Sequence, residues 1–160
     1  AECYYRLYKF GDMHRLIAAY ESMLREYGSM KEYVRSHAAT GIEAVSAICS
    51  YFAEHDASTV VPRNTQSACK RVCMFLRWMV RSGSPVDLGL WADIIDRRTL
   101  IMPLDTHVVQ EALRLGLLKS RTASMATARR LTDAMLEVFP DDPLRGDFAL
   151  FGLGVDEDSK

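Results

Sequence analysis

Residues 100–117 read LIMPLDTHVVQEALRLGL. Leu100, Ile101, Met102 and Leu104 are apolar and Pro103 interrupts any helix, so the chain is expected to reach Asp105 extended and buried. Val108, Val109, Ala112, Leu113 and Leu115 then recur with helical spacing until Gly116, a residue suited to the left-handed stop of a helix. Two roles are open to the carboxylate between these segments. Asp105 can cap the helix by accepting from backbone N–H groups, or it can supply a negative charge for chemistry.

Outward from this stretch, helix signals recur and strand alternation is nowhere sustained. Asp12 is placed to cap a helix through about Tyr27, with Gly28 as its stop. Ser29 with Glu32, and Thr40 with Glu43, fit the capping-box pattern; the second pair opens a helix with Ile42, Val45, Ile48, Cys49 and Phe52 on one face. ASTVVPRNTQ, residues 57–66, reads as a loop. Ser67 is expected to start a helix whose apolar stripe is Val72, Phe75, Leu76, Met79 and Val80, ending near Ser82-Gly83-Ser84-Pro85. Asp87 should cap a short helix holding Leu88, Leu90, Trp91, Ile94 and Ile95. A further helix runs from about Ala123 to Phe139 and stops at Pro140. Asp142 before Pro143 signals a last helix through Leu150, closed by the glycines of FGLGV. The pattern is an all-α bundle of short helices.

The 160 residues make one domain or a large part of one. No apolar stretch approaches the roughly 20 residues a bilayer span needs, and the charged N-terminus AECYYRLYKF is unlike a signal peptide, so a soluble cytoplasmic protein is expected. Cys3, Cys49, Cys69 and Cys73 form no Cys-x-x-Cys pair, which suits reduced, packed thiols and calls for no metal or other cofactor. The formal net charge of −1 excludes a strongly basic chain, yet between Asp56 and Asp87 the only charged residues are Arg63, Lys70, Arg71, Arg77 and Arg81. Arginines opposite an apolar stripe belong on a solvated face. Trp78 and Trp91, at helical spacing beside Phe75 and Leu90, read as core, and Asp147 as a first-turn charge favouring its helix N-terminus.

Chemistry concentrates in SACKRVCMFLRWMVR, residues 67–81, and PLDTHV, residues 103–108. In the first turn of its helix, Lys70 meets the positive end of the dipole and the adjacent Arg71, both of which disfavour a protonated amine and favour a nucleophile. If Asp105 lies near, it can accept a proton from Lys70 and stabilise a cationic sugar-like transition state.

These two segments, with DLGLW and DPLRGDFALFGLGV, resemble an uncharacterised bacterial family related to the helix-hairpin-helix DNA glycosylase superfamily. PLDTHV is similar to the segment of endonuclease III-like enzymes whose aspartate is catalytic, which implies that role for Asp105. CKRVCMF resembles the lysine-bearing helix of the bifunctional members, with the longer lysine-to-aspartate interval of archaeal 8-oxoguanine glycosylases, which implies a Schiff-base role for Lys70. The resemblance implies a helix-hairpin-helix fold and a damaged or unpaired DNA base, flipped out of its duplex, as the partner. Residues 1–56 would be N-terminal helices, 57–155 the glycosylase-like core and 156–160 an acidic tail. Family members carry more sequence ahead of this start, so an N-terminally incomplete chain is expected.

The superfamily hairpin grips a DNA phosphate with a Gly-x-Gly, and VVPRNTQSACK has no glycine. Arg63, or amides near Ser67, would take that place, with Arg71 and His107 as further phosphate contacts. The reading is therefore a DNA-glycosylase-like protein that excises a damaged base through a lysine Schiff base. The alternative is a non-catalytic nucleic-acid-binding or interaction module that keeps the superfamily core.

Overall fold

A computed structural model describes residues 3–5 and 7–150 of the chain. The chain opens with a short antiparallel pair, β1 (Cys3–Tyr5) and β2 (Tyr8–Lys9), and continues as helices: α1 (Phe10–Tyr27), α2 (Met30–His37), α3 (Gly41–Glu54), α4 (Lys70–Val80), a single 3-10 turn (Arg97–Thr99), α5 (Thr106–Arg114) and α6 (Met125–Val138). Residues 145–150 are again helical. The all-α expectation holds but for that hairpin. The FGLGV stop and the acidic tail lie outside the described residues.

Local chemistry sets most helix starts. Ser29 and Thr40 accept from the N–H groups of Glu32 and Glu43, and Glu43 returns the favour to the Thr40 N–H at 3.0 Å. Ser124 does the same job for α6, accepting from Thr127. Asp12 is not the cap of α1. It sits three positions into the helix, takes the Lys9 N–H at 2.8 Å, and also accepts from Arg15 and from Thr59 of the loop that follows α3. The Lys9 N–H contributes most to holding the Asp12 carboxyl below the usual range, against the opposing effect of partial burial.

Helix α3 is the central post. Its buried Val45, Ile48, Cys49, Tyr51 and Phe52 meet α2 on one side and α4 on the other, and its N-terminus abuts the 3-10 turn. Gly41 is required there, because a methyl group would run into the Thr99 carbonyl; its N–H donates to the Thr99 hydroxyl at 2.8 Å. Leu76, Ile95, Leu100, Met102, Leu131 and Leu144 are fully enclosed, each contributing roughly 1.5–3 kcal/mol of burial. As expected, residues 100–104 run extended through this core, and the Met102 N–H donates to the Thr132 hydroxyl of α6 at 2.9 Å.

Three further local expectations fail. Helix α4 starts at Lys70 rather than Ser67, with Cys69 as its left-handed cap residue. Asp87 caps no helix: residues 85–95 form turns. The apolar spacing there is helical, but Leu88 and Trp91 give their N–H groups to the carbonyls of Trp78 and Met79, closing the end of α4, and Gly89 turns at φ 67°. Trp91 is buried edge-on to Phe75 at 5.3 Å, whereas Trp78 is 41% exposed and outside the core.

Candidate functional site

The approach to α4 is tightly wound. Cys69 adopts φ 46°, ψ 37°, a conformation that costs a non-glycine residue about 1–2 kcal/mol. Its sulfur lies 3.3 Å from the Asn64 carbonyl and 3.4 Å from that of Ser67, curling residues 64–69 inward. Ser67 pairs with Ser124 as an isolated antiparallel bridge, so that Ala68 donates to Ala123 and Met125 to Gln66. That bridge places the start of α6 beside the start of α4.

The same corner receives the start of α5. Asp105 caps it, its Oδ1 accepting the Val108 N–H at 2.8 Å. The other oxygen, Oδ2, faces the Lys70 ammonium at 3.5 Å. The two side chains line one cleft of about 360 Å³ with Thr106, Gln110, Arg121 and Ala123, floored by Leu104 and Val109. The capping role of Asp105 is thus realised, and one carboxylate oxygen is left over from it. Backbone donation fixes the side chain while Oδ2 stays turned to the amine. Lys70 is 47% exposed and Asp105 20%, so their attraction is screened by water and adds at most about 1 kcal/mol of stability. An amine held this loosely can swing toward a carbon bound in the cleft and pass its proton to Oδ2.

The remaining candidate residues do not converge. Arg63 and Ser67 are exposed on the segment before α4, away from the cleft wall. Arg71 turns to the opposite side, donating to the Val60 carbonyl at 3.2 Å with its guanidinium 5.3 Å from the centre of the Tyr8 ring. There it borders an apolar groove formed by Leu16, Ile17, Phe52 and Phe75. His107 is half-buried in the first turn of α5 and does not line the cleft. Sequence reasoning passed over Gln110 and Arg121. Gln110 lies one helical turn after Thr106 and was legible from that spacing, whereas Arg121 sits in an irregular connection with no local signal.

Arg77 and Arg81 are not on a solvated face. Only 3% and 7% exposed, they enter a buried cluster with Asp87, Asp142 and Asp147. Arg81 reaches Asp87 at 2.8 Å and clasps Asp142 through Nε at 3.0 and 3.1 Å. Arg77 donates to Asp147, stacks its guanidinium 4.2 Å from the centre of the Phe148 ring, and lies 3.5 Å from Asp87 without a hydrogen bond between them. Its Nε and Nη2 and the Asp87 Oδ1 have no hydrogen-bond partner among the described residues. Asp147 does lie in the first turn of the helical segment 145–150, and it is also a buried ion-pair partner. Burial pushes its carboxyl above the ordinary range, Arg77 pulls it back, and the negative charge of Asp105 adds to the upward push.

The sequence family described as Protein of unknown function (DUF2400) matches residues 1–156. The chain belongs to this family. No curated protein and no solved structure matches it. The geometry of this DUF2400 member therefore has to speak for its own chemistry. Among the described residues no helix is long and apolar enough to cross a membrane, and no cluster of three His, Cys, Asp or Glu side chains could hold a metal ion.

Proposed function

We propose that this chain is a DNA-glycosylase-like protein of the helix-hairpin-helix type, in which Lys70 is the nucleophile and Asp105 its proton acceptor and electrostatic partner. The observation that carries the reading is the divided use of one carboxylate: Oδ1 is committed to the Val108 N–H and Oδ2 faces the Lys70 Nζ at 3.5 Å in a cleft. In the reaction, Lys70 in its neutral form attacks the sugar carbon that bears the base. The carbon–nitrogen bond to the base breaks, the base leaves with the bonding pair and gains a proton, and the proton lost by Lys70 passes to Asp105. The negative charge on Asp105 opposes the positive charge that develops on the sugar.

Helices α4, α5 and α6 all begin around this cleft, so three sets of N-terminal amides favour an anionic ligand such as a nucleic-acid phosphate. Arg121 adds a cation at the rim. A non-catalytic nucleic-acid-binding module is the second reading. It is favoured by the glycine-free loop before α4 and by the outward turn of Arg71, which leave the phosphate grip weaker than in the superfamily hairpin.

Borohydride trapping separates the two. The protein incubated with an oligonucleotide bearing an abasic site or an oxidised base should give a covalent complex on reduction, and Lys70→Ala should give none. Binding without trapping by the parent protein would leave only the non-catalytic module.

A further inference from the structure

Three thiols meet where α3 passes the start of α4, and the Lys70 chemistry uses none of them. Cys49, Cys69 and Cys73 are all reduced and buried. Cys49 and Cys69 are the close pair: the Cys49 sulfur donates to that of Cys69 across 3.9 Å, although the two residues are 20 apart in the chain. Cys73, one turn further along α4, donates elsewhere, to the Ala68 carbonyl at 3.5 Å.

We propose that Cys49 and Cys69 are a redox-active dithiol, oxidised by a hydroperoxide to a disulfide that ties α3 to the first residue before α4. Cys69 is the attacking sulfur. In the resting thiol the Asn64 and Ser67 carbonyls at 3.3 and 3.4 Å take the Cys69 S–H; against them, the helix N-terminus favours a thiolate and the Cys49 S–H and Ser67 hydroxyl can both donate to it. These donated contacts hold the Cys69 thiol below its usual range, while the same Cys49–Cys69 contact, and then burial, hold Cys49 above it. Burial, with the charge of Cys69 adding to it, pushes Cys73 up to about 12, so it remains a thiol.

The chemistry balances in two displacements. The Cys69 thiolate attacks one peroxide oxygen; the sulfur–oxygen bond forms, the oxygen–oxygen bond breaks, and the departing oxygen takes a proton and leaves as water or an alcohol. Cys49 then attacks the Cys69 sulfur; the sulfur–sulfur bond forms, the sulfur–oxygen bond breaks, and the hydroxyl leaves as water with the Cys49 proton. The sulfur pair loses two electrons and the peroxide gains them. The sulfurs must close from 3.9 Å to about 2.05 Å. Cys69, only 3% exposed, must also turn outward to meet the peroxide, and it can supply both movements because its left-handed backbone is strained and the segment 64–69 that carries it is irregular.

The test treats the whole protein with a small excess of hydrogen peroxide, quenches it, and reads intact mass, denatured thiol count and a peptide map. The expected result is the loss of two hydrogens and of two of the four thiols, a Cys49–Cys69 crosslink in the map, and full recovery with dithiothreitol. Cys73→Ser should leave that crosslink unchanged. Cys49→Ser should replace it with a sulfenic acid on Cys69 that dimedone labels. A crosslink from Cys69 to Cys73 or Cys3, or four thiols surviving peroxide in the folded parent, overturns the assignment. None of these measurements depends on Lys70 activity.

Discussion

One helix carries two kinds of charge. At its first residue, α4 offers Lys70 to water and to a single carboxylate oxygen at 3.5 Å, while at its last turn and cap Arg77 and Arg81 are enclosed by three aspartates. Both ends would be drawn alike on a helical wheel. The difference is what the partners are for. The inner charges are desolvated and therefore depend on one another, so removing one strands the rest. The outer amine is half in solvent and loses little when its partner goes, so its side chain is free to move.

The comparison breaks most visibly at Arg77. Arg77→Met strips Asp147 of its arginine and should lower unfolding free energy by about 3–5 kcal/mol in urea titration, whereas adding Asp147→Leu should recover most of the loss. A stability change below about 1 kcal/mol for Arg77→Met would make the inner cluster as loosely coupled as the outer pair.

Asp105 sharpens the contrast from the other side. Asp105→Asn keeps an oxygen for the Val108 N–H and should leave the melting temperature within a few degrees, corresponding to at most about 1 kcal/mol in a domain of this size. It should nevertheless abolish trapping, since asparagine carries neither the charge nor the proton affinity. Asp105→Ala should cost more, about 0.5–2 kcal/mol, because the cap is lost as well. Full activity in Asp105→Asn would reduce the residue to a cap.

The smallest effect is a slope. Burial raises the folded pKa of Asp147 above its ordinary 3.8, so the stability this group contributes is complete below pH 3.8 and is lost as pH rises through the folded value. Asp147→Asn is neutral throughout and escapes that loss. The urea midpoint of the variant should therefore gain on the parent's as pH rises from 3.8, whatever the offset between them. The opposite trend would mean that Arg77 outweighs burial.

What the sequence revealed divides along the same line. The caps Ser29, Thr40, Asp105 and Ser124 act within three residues, and the Thr40 and Asp105 signals were plain in the chain because the groups they satisfy are adjacent. Arg77 and Arg81 looked like surface residues because two of their partners, Asp147 and Asp142, lie 70 and 61 residues away, and the third, Asp87, read as a helix cap. The segment 87–95 has the spacing of a helix, but the open carbonyls at the end of α4 take its amides first. At the site, the segments holding Lys70 and Asp105 stood out, whereas the role of Arg121 depends on the Ser67–Ser124 bridge that brings the start of α6 to the cleft.

The close approach of Gly41 to Thr99 bears on how the chain can be divided. Character changes near residue 56, where helices give way to a long loop, and a cut there looks natural on paper. Yet α3 belongs to both sides: its first N–H closes on Thr99, and its middle presses Cys49 against Cys69. Residues 57–150 made alone would carry an open slot where α3 had been, lined by Val72, Cys69 and Leu100 and lacking the wall that keeps the start of α4 in place. The two pieces are halves of one wall, and each would need the other to stand.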